Sequence, residues 1–159
     1  MDKFAIFLLS SEEFGIELKR VVEILRRQKF TTLPRLPDFI VGVINLRGDV
    51  IPVVDMRRRF GLTPSPLKER IIIVKADREN VGLLVDGVKE IITLQGDHIV
   101  TPPRMFKGLK AEYLSGIGKE GDRLIILLNI DTLLTAEEKI LLEEIKGKGV
   151  SAEMRNEKF

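Results

Sequence analysis

The residue types that most often carry enzyme chemistry are scarce in this chain. Its 159 residues include no cysteine and a single histidine, His98. A Ser-His-Asp arrangement would depend on His98, which lies in the polar stretch QGDHIVTPP and is typical of a surface loop. Disulfides and thiolate metal sites are excluded by composition, and zinc prefers His and Cys ligands. An enzyme is therefore the least favoured class, and we expect no metal and no cofactor.

Adjacent carboxylates and phosphate-binding loops add no support for catalysis. The acidic pairs are Glu12-Glu13, Glu137-Glu138 and Glu143-Glu144. The first pair lies near a turn glycine, and the other two belong to a predicted solvated helix. Neither GxxxxGK[ST] nor GxGxxG occurs, so neither of the common phosphate-cradling loops is indicated.

Two basic clusters could face phosphates. They are Arg26-Arg27 with Lys29, and Arg57-Arg58-Arg59. The chain as a whole has 26 basic and 24 acidic residues, and its aromatic residues are eight Phe and one Tyr, mostly in apolar contexts. Single-stranded nucleic acids are usually bound by basic grooves with stacking aromatics. A small nucleic-acid-binding barrel therefore remains only an alternative, which salt-dependent retention on DNA or RNA would identify.

One arginine has an unusual setting. The stretch GVINLRGDVIPVVDM, residues 42–56, contains two strand-like apolar runs joined at Arg47-Gly48-Asp49. Arg47 is either an ordinary exposed turn residue or an arginine presented at the rim of a protein-binding groove. The second interpretation is physically reasonable because arginine is frequent among the energetically dominant residues of protein interfaces.

The elements that must position these residues are mainly strands. Short Ile- and Val-rich runs end at Gly, Asp or Asn, which is typical of β-structure. The predicted strands are Phe4–Leu9, Gly42–Leu46, Val50–Val54, Ile71–Lys75, Val81–Val85, Lys89–Leu94 and Arg123–Leu128.

Three helical segments are predicted. Apolar residues at 18, 21, 22 and 25 have the spacing of one helical face over Leu18–Leu25. Asp55 is placed to cap a short turn that runs through Arg59 and stops at Gly61. The motif TAEE predicts a capped helix over Thr135–Lys146, with Ile140, Leu141 and Ile145 as its apolar stripe.

A faint internal repeat suggests two similar units. FGIELKRVVEIL, residues 14–25, aligns with VGLLVDGVKEII, residues 81–92. A second echo pairs Gly42-Val43 with Gly116-Ile117, and Val54-Asp55 with Leu128-Asn129. Two units of about five strands each would suit small barrels, which leave few exposed sheet edges.

The termini and the hydropathy pattern favour a cytoplasmic location. The opening MDKFAIFLLSSEE has too short an apolar run for a secretory signal, and no run approaches the length of a membrane span. We expect one domain over residues 1–146 and a flexible polar tail over residues 147–159.

Four segments together carry a family resemblance across most of the chain. FGIELKRVVEI, LPDFIVGVINLRGDVIPVVDMRRRFG, VGLLVDGVKEI and AEYLSGIGKEGDRLIILLNI occur in the order and spacing of the CheW family of chemotaxis coupling proteins. The resemblance implies a mainly β fold of two five-stranded, SH3-like β-barrel subdomains side by side, with short helices and a C-terminal helix. It also implies a non-enzymatic adaptor that links methyl-accepting chemoreceptors to the histidine kinase CheA, and that also joins other CheW-like subunits in rings.

The resemblance also implies site residues. Those expected to face the receptor are Val21, Gly42, Asn45 and Arg47. Those expected to face the regulatory domain of the kinase are Leu18, Val21, Glu23, Val100, Met105 and Phe106. The loop that holds the last three differs from relatives that bear a charge there. A CheW-like adaptor of a non-chemotactic kinase remains an alternative that sequence cannot separate.

Overall fold

Short β-strands make up most of the molecule. The computed structural model describes residues 2–144, and in that range the strands are β1 Asp2–Leu9, β2 Glu12–Glu17, β3 Val21–Arg26, β4 Ile40–Leu46, β5 Asp49–Asp55, β6 Arg70–Ala76, β7 Glu79–Val85, β8 Gly87–Leu94, β9 Ile99–Val100, β10 Met105–Phe106, β11 Leu109–Lys110, β12 Leu114–Glu120 and β13 Arg123–Leu128. The α-helices are α1 Met56–Phe60 and α2 Ala136–Glu144. Short 3₁₀ helices occupy Leu18–Arg20, Gly96–His98, Ala111–Tyr113 and Ile130–Thr132.

The strands form two main sheets, which define two subdomains. Subdomain 1 is the five-stranded sheet β3-β6-β7-β5-β4, and subdomain 2 is the sheet β8-β1-β2-β13-β12-β9. The chain therefore starts in subdomain 2, crosses to subdomain 1 at Leu18–Arg20, and returns at Asp86, between β7 and β8. The predicted fold class is confirmed, with the two-residue β9 as an additional edge strand.

Strands with two buried faces explain the continuous apolar runs in the sequence. On β6, Ile71 and Ile73 lie in the core of subdomain 1, whereas Ile72 and Val74 lie in a shared core between the two sheets. Subdomain 2 repeats this division. Its β13 gives Ile125 and Leu127 to the core of subdomain 2, and its intervening residues to the shared core. Since successive side chains point to opposite faces, such strands need apolar residues at every position.

The internal repeat corresponds to repeated architecture. Gly82 on β7 pairs in parallel with Val53 on β5, and Gly15 on β2 pairs in parallel with Leu127 on β13. The second echo also matches, because β4 has an irregular register just before Gly42 and β12 has one just before Gly116. The two subdomains are thus built on one plan.

The same plan places a polar cap after each central strand. The Asp55 carboxylate accepts hydrogen bonds from the backbone N–H groups of Arg57 and Arg58 at the start of α1. Asn129 Oδ1 accepts one from the backbone N–H of Asp131 at the start of the 3₁₀ helix Ile130–Thr132. Gly61 ends α1 with φ of 67°, as its sequence position predicted.

The predicted helix over Leu18–Leu25 is wrong. Only Leu18–Arg20 is helical, and the remainder is β3, which pairs antiparallel with β6. A bulge between Val21 and Glu23 inserts one residue into the ladder, and Val22 is 51% exposed there. Because the bulge interrupts the two-residue alternation of a strand, the apolar spacing imitates that of a helix.

The C-terminal helix begins where the sequence predicted, but the side chains that it buries are not all the predicted ones. Glu138 Oε1 accepts a hydrogen bond from Thr135 N at 2.7 Å, and Thr135 Oγ1 accepts one from Glu138 N at 3.1 Å, so the capping box forms. Ile140 is 57% exposed, and Leu142 is buried in the shared core instead. Ile145, Lys146 and the predicted tail over residues 147–159 lie outside the described residues.

Candidate functional site

Arg47 lies in the turn between β4 and β5, and its side chain projects into solvent. Its φ is 50°, and its side chain is 70% exposed. Nη2 lies 2.6 Å from Oε2 of Glu23 on β3, and Nη1 donates to Oε1 at 3.4 Å. This hydrogen bonding lowers the pKa of the Glu23 carboxyl and raises the pKa of the guanidinium. Both groups are therefore charged at neutral pH.

The Arg47–Glu23 pair closes the open side of subdomain 1. β3 and β4 are the two outer strands of the five-stranded sheet, so a contact between residue 23 and the end of β4 requires the sheet to curl. Subdomain 2 curls in the same way, because a Cβ at Gly118 on β12 would lie 2.7 Å from the side chain of Leu94 on β8. Arg47 therefore lies on the seam of subdomain 1, where the β3 side of the sheet approaches the end of β4.

The face of β3 opposite to the Glu23 side chain extends past the shared core. Ile24 pairs with Ile72, a member of that core, so both side chains point toward subdomain 2. Ile72 is fully buried, whereas Ile24 is 39% exposed, and Val21 packs partly against the shared core. We call Val21–Ile24 together with Arg47 the β3 surface. Its exposed apolar side chains and its ion pair come from neighbouring residues of β3 whose side chains leave opposite faces of the strand.

Asn45 and Gly42 have structural roles on β4, the strand that leads to Arg47. The Asn45 side-chain oxygen accepts a hydrogen bond from the Gly48 N–H at 3.1 Å and thereby orders the turn that carries Arg47. Gly42 is buried, although it was expected to face a receptor. A Cβ there would lie 2.6 Å from the carbonyl oxygen of Thr31 and 2.8 Å from the Cβ of Phe30, and its φ is 153°.

The residues expected to face the kinase fall into two groups. Leu18 packs partly against the shared core at the start of the 3₁₀ helix, close in sequence to Val21 and Glu23 of the β3 surface. Val100, Met105 and Phe106 belong to subdomain 2 and to the small β10-β11 sheet beside it.

The second group is partly exposed, and we refer to Val100, Met105 and Phe106 as the β9–β10 surface. Val100 is 37% and Met105 is 55% exposed, whereas Phe106 packs partly against the shared core. Lys107 lies 5.9 Å from the centre of the Phe106 ring and forms a 2.7 Å ion pair with Glu12. Apolar side chains therefore flank a fixed charge here as well.

One of the two basic clusters is used within the fold. Arg57 is 4% exposed, and its guanidinium contacts Asp55, Glu69 and the fully buried Asp86. Arg59 donates to the Leu133 carbonyl and pairs with Glu138. The Arg57-Arg58-Arg59 cluster is therefore mainly structural, with only Arg58 largely exposed. Sequence reasoning missed the partners of Arg57, because they lie up to 29 residues away.

The candidate acid–base residues are also accounted for. His98 is exposed at the end of a 3₁₀ helix. Glu13 accepts hydrogen bonds from Arg123 and Lys89, and these lower its pKa to about 2 against the partial burial that would raise it. Within residues 2–144, no three His, Asp or Glu side chains are grouped so that they could hold a metal ion. In the same range, no helix is long and apolar enough to span a membrane.

Comparison with known proteins agrees with this architecture. Residues 3–138 match the family model described as a CheW-like domain. The chain belongs to the CheW-like domain family. It is 37% identical over 145 residues to the chemotaxis protein CheW of Klebsiella aerogenes, covering 90% of this chain and 87% of that protein. The CheW of Bacillus subtilis is 31% identical over 138 residues, covering 86% and 88%.

A solved structure in this family is similar across both subdomains. The crystal structure of the scaffolding protein TtCheW from Thermoanaerobacter tengcongensis superposes with a TM-score of 0.81 at 34% identity. The match covers 86% of this chain and 90% of that chain. Both the β3 surface and the β9–β10 surface lie within the family-model match, between residues 3 and 138.

We expect Gly42→Ala to destabilise the fold, because the added methyl group would overlap the backbone of the segment at Thr31. The loss should be roughly 1–3 kcal/mol, the usual range for overpacking and backbone strain. Urea denaturation would measure it. Gly96→Ala is the matched control, since nothing lies within 4 Å of its Cβ position. Equal stability of the two variants would contradict the close packing described here.

The ionised Glu13 should stabilise the fold above about pH 4.5, its ordinary pKa, and this contribution should disappear as the pH falls toward 2. The stability advantage of the wild type over Glu13→Gln should therefore shrink across that range. Urea denaturation between pH 7 and about pH 2.5 would measure the difference. Glu112→Gln, at an exposed site without an ion pair in the described residues, is the matched control. A constant difference between wild type and Glu13→Gln would refute the assignment.

Proposed function

We propose that this chain is a non-enzymatic adaptor that couples methyl-accepting chemoreceptors to the histidine kinase CheA. The family membership supports the adaptor class, since relatives carry the name chemotaxis protein CheW and the matching crystal structure is titled a scaffolding protein. The observation that carries the proposal is the β3 surface, which exposes apolar side chains beside a solvent-facing arginine. Such a surface fits a protein partner better than a small substrate.

The receptor-facing role is assigned to the β3 surface. Chemoreceptor tips are helical hairpins, and an amphipathic helix binds by placing its apolar face on an apolar groove or ledge. Val21 and Ile24 offer that ledge. Arg47 has five N–H donors, of which the Glu23 carboxylate accepts two, so donors remain for charge-assisted bonds to the partner. Asn45 keeps the Arg47 turn in place, and Gly42 acts by allowing close packing below it.

The kinase-facing role is assigned to two surfaces on different subdomains. The first is formed by Leu18, Val21 and Glu23, and it overlaps the receptor-facing surface at Val21. The second is the β9–β10 surface, with Val100, Met105 and Phe106. An adaptor with contact surfaces on both subdomains can join two neighbours, either kinase regulatory domains or CheW-like subunits in a ring. Interfaces that are small and weak singly gain strength when several act together.

The proposal places the chain in the cytoplasm and brings it to the membrane only through receptors. No nucleic acid, metal or cofactor has a role in it.

We expect Arg47→Asp to weaken receptor coupling while the fold stays intact. The Arg47–Glu23 pair is exposed, and such pairs contribute little to stability because water and salt screen them. At an interface, however, the reversal removes a donor and sets two carboxylates side by side. Co-sedimentation with a receptor signalling fragment and the CheA regulatory domain, followed by kinase assays in reconstituted arrays, would measure the effect. Arg47→His should weaken coupling less than Arg47→Asp, because it brings no negative charge.

Lys119→Asp is a matched control, since Lys119 is an exposed lysine on β12 with no ion pair in the described residues. It should co-sediment and control the kinase like the wild type. Wild-type kinase control by Arg47→Asp would remove this arginine from the site. If the wild-type chain binds neither the receptor fragment nor the kinase domain, the adaptor function itself is wrong.

A further inference from the structure

The second basic cluster has no role in the fold comparable to that of Arg57. The side chains of Arg26, Lys29 and Lys68 make no ion pair or hydrogen bond within residues 2–144. In the same range, Arg70 donates only to the backbone carbonyl of Glu69, at 3.0 Å. We call these four residues the basic rim. They lie where β3 ends, where β6 begins and in the segments next to these strand ends.

The acid nearest to the rim in sequence is already occupied. Glu69 pairs with Arg27 at 2.7 Å and with the buried Arg57 at 2.9 Å. Its carboxylate is therefore shared by two guanidinium groups and leaves little charge to compensate the rim. Arg27 is further fixed by lying 5.5 Å from the centre of the Phe30 ring.

The rim contains an unfavourable contact within the sheet. Arg26 on β3 and Arg70 on β6 are direct cross-strand partners. Like charges placed directly opposite each other on neighbouring strands destabilise a sheet. A chain with 24 acidic residues could place a carboxylate here, yet it keeps two arginines at this position. A partner with acidic side chains would compensate the repulsion between these two arginines.

The rim is continuous with the receptor-facing apolar ledge. Val22, Ile24 and Arg26 are all exposed, and Arg26 follows Ile24 by two residues, so the two side chains share a face of β3. At the β6 side of the rim, Lys68 follows Leu67, which is 76% exposed. The start of β8 lies close by, because a Cβ at Gly87 would be 3.7 Å from the Lys68 carbonyl oxygen. A partner lying along β3 would therefore pass from apolar side chains to cationic ones.

We propose that the basic rim binds acidic side chains on the receptor helix that docks along β3. This inference rests on the proposed adaptor function and adds the chemistry of the partner to it. Two residues of a strand advance about 6.6 Å, close to the 5.4 Å of one helical turn. The partner glutamate or aspartate should thus lie three to five residues from the apolar residue that contacts Ile24. Interfaces built in this way use charge for register and for the rate of association.

The test is the binding of a receptor signalling fragment to the double variant Arg26→Glu/Lys68→Glu. Isothermal titration at about 50 mM NaCl should show a dissociation constant weakened on the order of tenfold, and less than about twofold at 500 mM, because salt screens exposed charges. Lys119→Glu, a charge reversal at one exposed lysine on β12, should stay within twofold of the wild type. The double variant should melt no lower than the wild type, since the change places an opposite charge beside Arg70.

The second part of the test reverses charges in the receptor fragment. Single Glu→Lys or Asp→Lys changes around its apolar contact residue should each be tested against wild type and the double variant. Recovery of binding for one such pair supports the inference and identifies the partner acid. Wild-type affinity of the double variant at both salt concentrations would overturn it while leaving the adaptor function standing.

Two other outcomes also overturn the inference. If rim changes abolish retention of a single-stranded oligonucleotide and leave receptor binding unchanged, the rim serves nucleic acid. If the wild-type chain itself fails to bind the receptor fragment, the proposed receptor-facing role falls, and the inference falls with it. The wild-type titration distinguishes this case from a failure of the rim alone.

Discussion

The shared core between the two sheets is the constraint on which the rest of the structure depends. Each central strand gives alternate side chains to its own subdomain and to this core, as Ile71 and Ile72 do on β6. Burial of apolar area is the main favourable term in folding, so two sheets that each bury both faces cannot separate without losing much of it. The space between the subdomains is therefore filled in the interior, and strands that run past it, such as β3, keep exposed apolar side chains there.

The outer strands of the sheets must meet two requirements. They must leave side chains exposed for a partner, and they must not pair with the edges of other sheets. Unpaired sheet edges invite unwanted association, and proteins usually protect them with charge, bulges or covering segments. Here β3 has a bulge after Val21, and the Glu23–Arg47 pair crosses the seam to β4. The other side of β4 is covered by the bridge between Thr31 and Val43. The exposed Ile24 thus lies on a strand whose edge is protected against unwanted pairing, as a selective docking surface requires.

The sequence predicted what local pattern determines and failed where distant segments meet. Apolar runs, the Asp55 cap and the Thr135–Glu138 capping box depend on neighbours within a few residues, and all of them form. The β-bulge at Val21 led to a strand being predicted as a helix, because a bulge alters the two-residue period of apolar side chains that identifies a strand. The Glu23 partner of Arg47 lies 24 residues away, and the contact of Gly42 with Thr31 comes from a segment without a pattern of its own. The family resemblance implied which residues belong to this surface, but it did not indicate that Arg47 lies on a seam.

The contrast between Arg57 and Arg47 shows how the fold assigns different tasks to one residue type. Asp86, at the crossing from subdomain 1 to subdomain 2, accepts hydrogen bonds from Arg57 of one subdomain and from the Ser10 N–H of the other. Breaking a buried ion pair commonly costs about 3–5 kcal/mol, because a charge is left without a partner in the interior. This network therefore connects the two subdomains at the crossing. The proposed adaptor, with contact surfaces on both subdomains, would use this connection to hold its two partners in one arrangement. The exposed Arg47 has no such duty, and its remaining donors are available to a partner.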